Sequence, residues 1–480
     1  MSRNPSKALA TPKVAVTMRK ALSDPQLLGN VLAGESWRRW RTLLVSLMGE
    51  ALTDDERVIF KDLTGREREP LERVEEFWGV IGRRGGKSRA AAALVVFLAC
   101  FVDHQSVIAV GERPTVLLLA QNQKQATIAL SYICGIVETT PLLASLIKNR
   151  TAEALELKNG VTVEVRPASF RGLRGVTAVA IIADEIAFWY SDETGSANPD
   201  SEILSAVRPA LATTGGPLIA ISSPYARRGE LYETFSKHFG PQGDPTILVA
   251  RGASRDLNPS LPQRVVDRAM QRYPVAARSE YLAEFRSDLE QFISHEAVAA
   301  CVMPGVREIE PRRHNTYHGF VDPSGGSSDS MTMAISYSDD ERAVLAALRE
   351  VKPPFSPEAT VADFAMLLRS YGISRIRGDR WGGEFVQEQF RRHGITYEPA
   401  DRSRSELYSE LLPLINSRRA SLLDDKRLIS QLIGLERRTS RGGKDSIDHA
   451  PGGHDDVANA VAGAIVAATA RDRRPRLVFG

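Results

Sequence analysis

The stretch FWGVIGRRGGKSRAAAALVVFLACFV, Phe77 to Val102, decides the fold. Phe77 to Ile81 is an apolar, strand-like run. A glycine-rich turn follows (Gly82, Arg83, Arg84, Gly85, Gly86), and Lys87 and Ser88 then open an Ala/Leu/Val-rich segment long enough to be a buried helix. In a strand–loop–helix unit the unpaired N–H groups of the loop and first helical turn converge on one point. The helix dipole also favours negative charge there, so the unit suits a polyphosphate. Gly82 to Ser88 therefore read as an ATP-binding loop, with Lys87 on the outer phosphates and Ser88 on a magnesium ion. The match to G-x-x-x-x-G-K-[ST] is offset: Ile81 stands where the first glycine belongs, and Gly82 comes one residue late.

Downstream, AVAIIADEIAFW (Ala178 to Trp189) is an apolar run carrying Asp184 and Glu185. A buried strand that delivers two adjacent acids at its carboxyl end is costly unless a cation or a reactive water needs them. Asp184 is expected to serve the magnesium ion and Glu185 to orient or deprotonate the water that attacks the γ-phosphate. An acidic strand end is a weak signal alone and a strong one behind a phosphate loop.

The chain has 480 residues, 43% hydrophobic and 25% charged, which is ordinary for a soluble protein of two to three domains. A net charge of +3 permits a nucleic-acid partner without arguing for one. Cys100, Cys134 and Cys301 are far apart and sit in or beside apolar runs, so neither a disulfide framework nor a zinc site is suggested. The longest apolar run, Ala90 to Val102, is too short to span a bilayer, and no secretory signal opens the chain. A cytoplasmic protein with no membrane partner is expected.

Residues 1–30 read as a flexible arm. WRRWRTLLVSLMGEAL (Trp37 to Leu52) interleaves aromatic and aliphatic residues with arginines and reads either as a segment packed beside the phosphate loop, framing an adenine ring, or as an amphipathic helix with an arginine face; a helix is expected to start at Thr53-Asp54. TVLLLA (115–120) is a second buried strand followed by a helical segment, and LKNGVTVEVRPAS a hairpin about Asn159-Gly160. Arg171 and Arg174 stand between glycines just before the acidic strand. PLIAISSPY is a further strand ending in Ser222 and Ser223, hydroxyls placed to sense the γ-phosphate. This order of elements predicts a RecA-like P-loop ATPase domain over 31–255, followed by a helical connector over 256–311.

The pattern changes at about residue 312. TYHGFVDPSGG ends a strand at Asp322; two strands flank an acidic turn; a helix follows; SRIRGDRWGG ends a short strand at Asp379; then come a helix and the strand ITYEPA. Three meandering strands, helix, strand, helix, strand is the element order of a ribonuclease-H-like nuclease, in which the first and fourth strands are neighbours. PGGHDDVANAVAGAIVAATA puts Asp455 and Asp456 in the first turn of a helix slim enough to lie close on a sheet. Three converging carboxylates repel one another unless divalent cations neutralise them, and paired ions clamp the attacking water and leaving oxygen of a phosphodiester. Asp322, Asp379, Asp455 and Asp456 are thus candidate nuclease ligands. Successive helix residues point about 100° apart, so both adjacent acids cannot face one ion from regular positions. The faces overlap, and the reading leans to Asp456 as the inner ligand. The α/β nuclease domain is expected over 312–470, with a basic tail over 471–480.

These motifs in this order, the variant phosphate loop with Arg83 and Arg84, the Asp-Glu strand end, the Ser-Ser strand end, then VDPSGG, GDRWGG and GGHDDVANA, resemble the large subunit of tailed-phage terminases over about residues 35–470. The offset glycine is itself a feature of many terminase phosphate loops. The resemblance implies that Lys87 and Ser88 bind ATP and Mg2+, that Asp184 serves the metal and Glu185 is the hydrolytic base, and that Ser222 and Ser223 couple hydrolysis to movement. It implies nuclease ligands at Asp322, Asp379 and Asp455 or Asp456, for Mg2+ or Mn2+. It further implies ATP-driven packaging of double-stranded viral DNA through a portal protein, a small terminase subunit as partner, a homo-oligomeric ring, and the host cell cytoplasm. Arg83 or Arg84 is a candidate γ-phosphate contact, and Lys444 a candidate DNA contact. The alternative is a helicase-nuclease of DNA repair or defence, which would need a second RecA-like domain that the segment after residue 312 does not suggest.

Overall fold

The computed structural model describes residues 12–168, 175–189, 199–327, 329–380, 383–439, 445–449 and 453–469. The chain divides into two compact units between Ser287 and Asp288.

The first unit is built on one eight-stranded sheet of β1 (Glu76–Ile81), β2 (Thr115–Ala120), β3 (Ile147–Arg150), β4 (Ala154–Leu157), β5 (Thr162–Pro167), β6 (Ala178–Asp184), β7 (Leu218–Ser222) and β8 (Ile247–Gly252). Its order is β8-β1-β7-β6-β2-β5-β4-β3. The six strands from β8 to β5 run parallel, and the β5–β4–β3 edge is antiparallel. Buried on both faces, β1, β2, β6 and β7 read as unbroken apolar runs rather than alternating ones. Strand β7 lies between the loop strand β1 and the acidic strand β6, the RecA-like arrangement, pairing Val80 with Ser222 and Ile221 with Asp184. That order cannot be read from sequence, because nothing in an apolar run names its neighbour.

Four helices matter for the site: α1 (Arg38–Leu47), α2 (Asp54–Thr64), α3 (Lys87–Cys100) and α4 (Gln123–Thr139). Helix α2 starts where expected, because Thr53 and Glu56 cap each other's backbone N–H groups. Helix α3 is buried from Ala90 to Ala99, as a helix apolar on all sides must be. Two expectations about boundaries are corrected. The arm is not free over its whole length: from residue 12 onward it packs, with Met18, Ala21, Leu22 and Leu28 buried and Lys13–Val14 paired to Val102–Asp103. The helical connector is not a separate body. Its helices Gln263–Arg272 and Pro274–Leu282 belong to the first unit, anchored where Ser279 Oγ donates to Pro224 O at 2.7 Å. Residues from Asp288 belong to the second, where Phe292, Ile293 and Val298 enter the core.

The second unit carries β9 (Tyr317–Asp322), β10 (Met331–Asp339), β11 (Arg342–Val351), β12 (Arg375–Gly378), β13 (Thr396–Pro399) and β14 (Ala420–Leu423). Together with strand Val302–Met303, the order is Val302–Met303, β14-β11-β10-β9-β12-β13. β9, β10 and β11 form an antiparallel meander, while β12 is parallel to β9 and β13 to β12. This is the ribonuclease-H-like arrangement, with the first and fourth strands adjacent. Side chains alternate across the sheet: Phe320 and Ala334 face one core with α9 (Asp456–Thr469), while Val321, Met333 and Ile335 face another with α5 (Pro357–Ser370) and α6 (Gly383–Arg392). Helices α7 (Arg404–Asn416) and α8 (Lys426–Ile433) complete the α9 side. Among the described residues no helix is long and apolar enough to cross a membrane. The three cysteines are free, Cys134 and Cys301 buried and Cys100 partly so, and burial pushes the Cys100 thiol up to about 12.

Candidate active sites

In the first unit, Gly82 to Gly86 form a tight turn between β1 and α3, with Arg84 and Gly86 in the left-handed region (φ 65° and 88°). Gly82 shows why the glycine comes one position late. Its N–H donates to Gly252 O at 3.0 Å, and a Cβ there would lie 2.5 Å from Ser254 Oγ and 2.7 Å from Ser254 N. The close approach falls after Ile81, whose side chain is still core. Trp40 of α1 donates from Nε1 to Gly85 O at 2.7 Å, so the aromatic segment does pack against the loop. Arg83 is 61% exposed and pairs with Glu280 at 3.3 Å, while Arg84 O accepts from Asn258 Nδ2 at 2.9 Å.

Lys87 is buried, and its Nζ lies 2.7 Å from Ser223 Oγ, 3.3 Å from Ile81 O and 3.2 Å from Glu185 Oε1. The second Glu185 oxygen, Oε2, accepts from Ser222 Oγ at 3.2 Å and from Ser223 N at 3.1 Å. Glu185 takes φ 53°, a left-handed conformation held by its N–H to Ile221 O at 2.8 Å. The inserted strand β7 therefore ends between the lysine and the glutamate and hydrogen-bonds to both. Burial pushes the Asp184 carboxyl up to about 7, with Glu185 adding to the rise and Lys87 opposing it. Ser88 is exposed in the first turn of α3. A buried cation at the N-terminus of α3 fits a polyphosphate, and the oxygen donors Asp184 and Ser88 fit magnesium.

In the second unit, Asp322 ends β9, and Asp379 follows β12, where its N–H donates to Val321 O at 3.2 Å. Strand pairing thus sets the two acids side by side. Asn459, one turn into α9, bridges them: its Nδ2 lies 2.8 Å from Asp322 Oδ2 and 2.9 Å from Asp379 Oδ2. Burial and then Asp379 push Asp322 well above the usual carboxylate range, and burial raises Asp379. Asp456 opens α9 and is pushed up to about 6 by burial and by Asp455. Its backbone is fixed by Thr332 Oγ1 donating to Asp456 O at 2.7 Å, and Gln431 Oε1 caps the helix by accepting from Val457 N and Ala458 N. The helix lies tight on β9: a Cβ on Gly463 would overlap the Phe320 ring.

The adjacent acids part company here. Asp455 is 2% exposed, and both its oxygens are engaged, Oδ1 by Arg404 Nη1 at 2.7 Å and Oδ2 by Tyr408 Oη at 2.9 Å. Asp456 Oδ2, by contrast, is buried with no hydrogen-bond partner among the described residues. Asp456 lies close enough to Asp322 to raise its carboxyl, and its orphaned oxygen is a donor of the kind a hard divalent cation takes. Among the described residues, the three whose ligand atoms come within 4.8 Å of one another are Asp448, His449 and Asp455. Sequence reasoning missed Arg404, Tyr408 and Glu280, which carry no motif. Asn459 had a signal, as an asparagine among the small and apolar residues of DVANAVAGAIVAAT. Arg171, Arg174, Lys444 and the tail 471–480 lie outside the described residues.

No family model and no curated protein matches the chain. Solved structures do. The large terminase of bacteriophage HK97 is 16% identical over 82% of this chain and 91% of that one, at a TM-score of 0.36. The large terminase of a thermophilic bacteriophage, in complex with ADP, is 13% identical over 85% and 95%, also at 0.36. The large terminase nuclease of the thermophilic phage G20c with bound magnesium is 20% identical and covers 36% of this chain and 95% of that one, at 0.32.

Proposed function

We propose that this chain is the large subunit of a tailed-phage terminase, an enzyme that uses ATP to drive viral double-stranded DNA into a procapsid and cuts the concatemer with a metal-dependent nuclease. The observation that carries the reading is the presence in one chain of two constellations: Lys87 and Glu185 at a phosphate-loop turn, and Asp322 and Asp379, bridged by Asn459, at a ribonuclease-H-like sheet end. In the first, Lys87 and the N–H groups that open α3 would hold the phosphates of ATP, and Ser88 and Asp184 would hold Mg2+, which would supply charge neutralisation. Glu185 orients the attacking water and takes its proton; Ser222 and Ser223 report the state of that glutamate along β7.

In the second, Asp322, Asp379 and Asp456 hold Mg2+ or Mn2+, which supplies a polarised phosphodiester and an activated water. Asn459 keeps the first two carboxylates together. The partners of this reading are double-stranded DNA, a small terminase subunit and the portal protein, with a homo-oligomeric ring working in the host cytoplasm. A helicase-nuclease finds no support, since the second unit's antiparallel meander is not a second RecA-like motor. The test is whether the purified chain turns over ATP, linearises plasmid only with Mg2+ or Mn2+, and leaves a forked duplex wound. Failure of both activities, or efficient unwinding, sinks the proposal.

A further inference from the structure

We infer that Arg404 contacts the scissile phosphate in the second-unit site, with Asp455 as the residue that positions it; this rests on the nuclease reading above. Arg404 opens α7 and Tyr408 stands one turn on, so the two share a face of that helix. Both hold Asp455: the arginine binds one carboxylate oxygen and the tyrosine the other. Both Asp455 oxygens are thereby engaged by α7, although Asp448 and His449 also bring a ligand atom within 4.8 Å of it, whereas its neighbour Asp456 keeps an unpartnered oxygen.

The arginine itself is not spent. Its side chain is 41% exposed, against 2% for Asp455, and Asp455 is its ion-pair partner among the described residues. It lines a cavity of about 380 Å³ whose wall also contains Asp379, Arg380, Arg402 and Ser403. Its charge is felt by Asp322, Asp379 and Asp456 alike. A guanidinium presents five N–H donors in a rigid fork that matches phosphate oxygens two at a time. One arm is pinned to a buried carboxylate, so the rest of the fork is held beside the catalytic acids at little further entropic cost. The diester gains negative charge as water attacks, and a fixed donor beside it is worth more in that state than in the ground state.

The competing role is that Arg404 only offsets the repulsion among the acids, and the two roles predict opposite results. A mere neutraliser competes with the metal, so removing it would tighten Mn2+ binding and leave the saturated rate unchanged. A phosphate contact, once removed, slows the saturated rate whatever the metal concentration. The experiment is single-turnover cutting of a duplex oligonucleotide by the full chain over an Mn2+ titration, for wild type, Arg404→Gln, Arg404→Lys and Asp455→Asn, each checked by thermal melting. Arg404→Gln is expected to lose about 100-fold in rate at saturating Mn2+. Arg404→Lys, which keeps the charge but not the fork, should lose about 10-fold. Asp455→Asn should fall between wild type and Arg404→Gln. Should Arg404→Gln not fold, the Lys and Asn variants carry the test. A wild-type rate at saturating metal in the folded variants overturns the assignment alone. Absence of cutting by wild type with any divalent ion overturns the nuclease reading and the assignment with it.

Discussion

Lys87 and Glu185 are each other's partner in this structure, and phosphate would compete for the lysine. Removing the ammonium deletes a charge-assisted contact, so Lys87→Ala should lose ATP turnover by about 100-fold or more, read by phosphate release. Glu185→Gln should still bind a fluorescent nucleotide and fail to hydrolyse it; wild-type turnover in both variants would remove the ATPase assignment. Asp184 adds a pH dependence with a definite sign. Its carboxyl is pushed up to about 7 in the folded chain, above the ordinary value of 3.8, so the folded state holds a proton there that the unfolded chain has lost. Ionisation therefore costs folded stability as pH rises between the two values, and a metal ion must displace the proton. The Mg2+ needed for half-maximal ATP turnover should fall as pH rises from 6 to 7 and level off above 8, and Asp184→Asn should flatten that profile. At this scale the sequence was legible where a residue sat at the end of a recognisable element, as Lys87, Glu185, Asp322 and Asp379 do. Asp455 and Asp456 were not separable, because two adjacent acids with overlapping helical faces differ only in what the rest of the fold brings to them. What differs is that Arg404 and Tyr408, about 50 residues away, engage both oxygens of Asp455, while Asp456 Oδ2 has no partner among the described residues.

Elements were the most legible level, since burial on both faces, capping and glycine stops leave local marks. The unbroken apolar strands, the Thr53 cap and the hairpin at Gly160 needed no tertiary information. Strand order and the fate of the connector did need it: β7 enters between β1 and β6 through pairing, and helix Pro274–Leu282 joins the first unit through contacts to β7's exit and to the loop arginine. The pairing of α9 with β9 shows how an element's composition becomes geometry. The helix reaches the acids only because Gly463 lets it sit on the Phe320 ring. Gly463→Ala gains helix propensity of about 1 kcal/mol but forces the helix off the sheet, at a cost of about 1–3 kcal/mol for overpacking. Its melting temperature should fall by a few degrees (about 2–4 °C per net kcal/mol). DNA cutting should fall further than stability alone explains, because Asp456 and Asn459 move with the helix. Unchanged melting and unchanged cutting would mean the helix does not seat that closely.

At the scale of the molecule, each unit has buried apolar clusters of its own, Phe77, Phe97 and Ile182 among those of the first, and Phe320, Tyr408 and Val461 among those of the second. Each candidate site is also built wholly from residues of one unit, Lys87, Glu185 and Ser223 in one and Asp322, Asp379, Asp456 and Asn459 in the other. A change to the carboxylate after β12 therefore removes no side chain from the phosphate-loop site. Asp379→Ala should abolish plasmid cutting at any Mg2+ or Mn2+ concentration while basal ATP turnover stays within about twofold of wild type, the scatter expected of a substitution at an independent site. Lys87→Ala should do the reverse, silencing turnover while metal-dependent nicking of plasmid persists. The substitution should not unfold the second unit, because it removes one member of a crowded, raised-pKa carboxylate group and relieves repulsion on Asp322. Asp379→Ala should accordingly melt at or slightly above the wild-type temperature, and the gain should shrink as the pH falls and the acids take up protons. Loss of both activities in either variant, with melting unchanged, would mean that the two sites depend on one another and that the division into two working units is wrong.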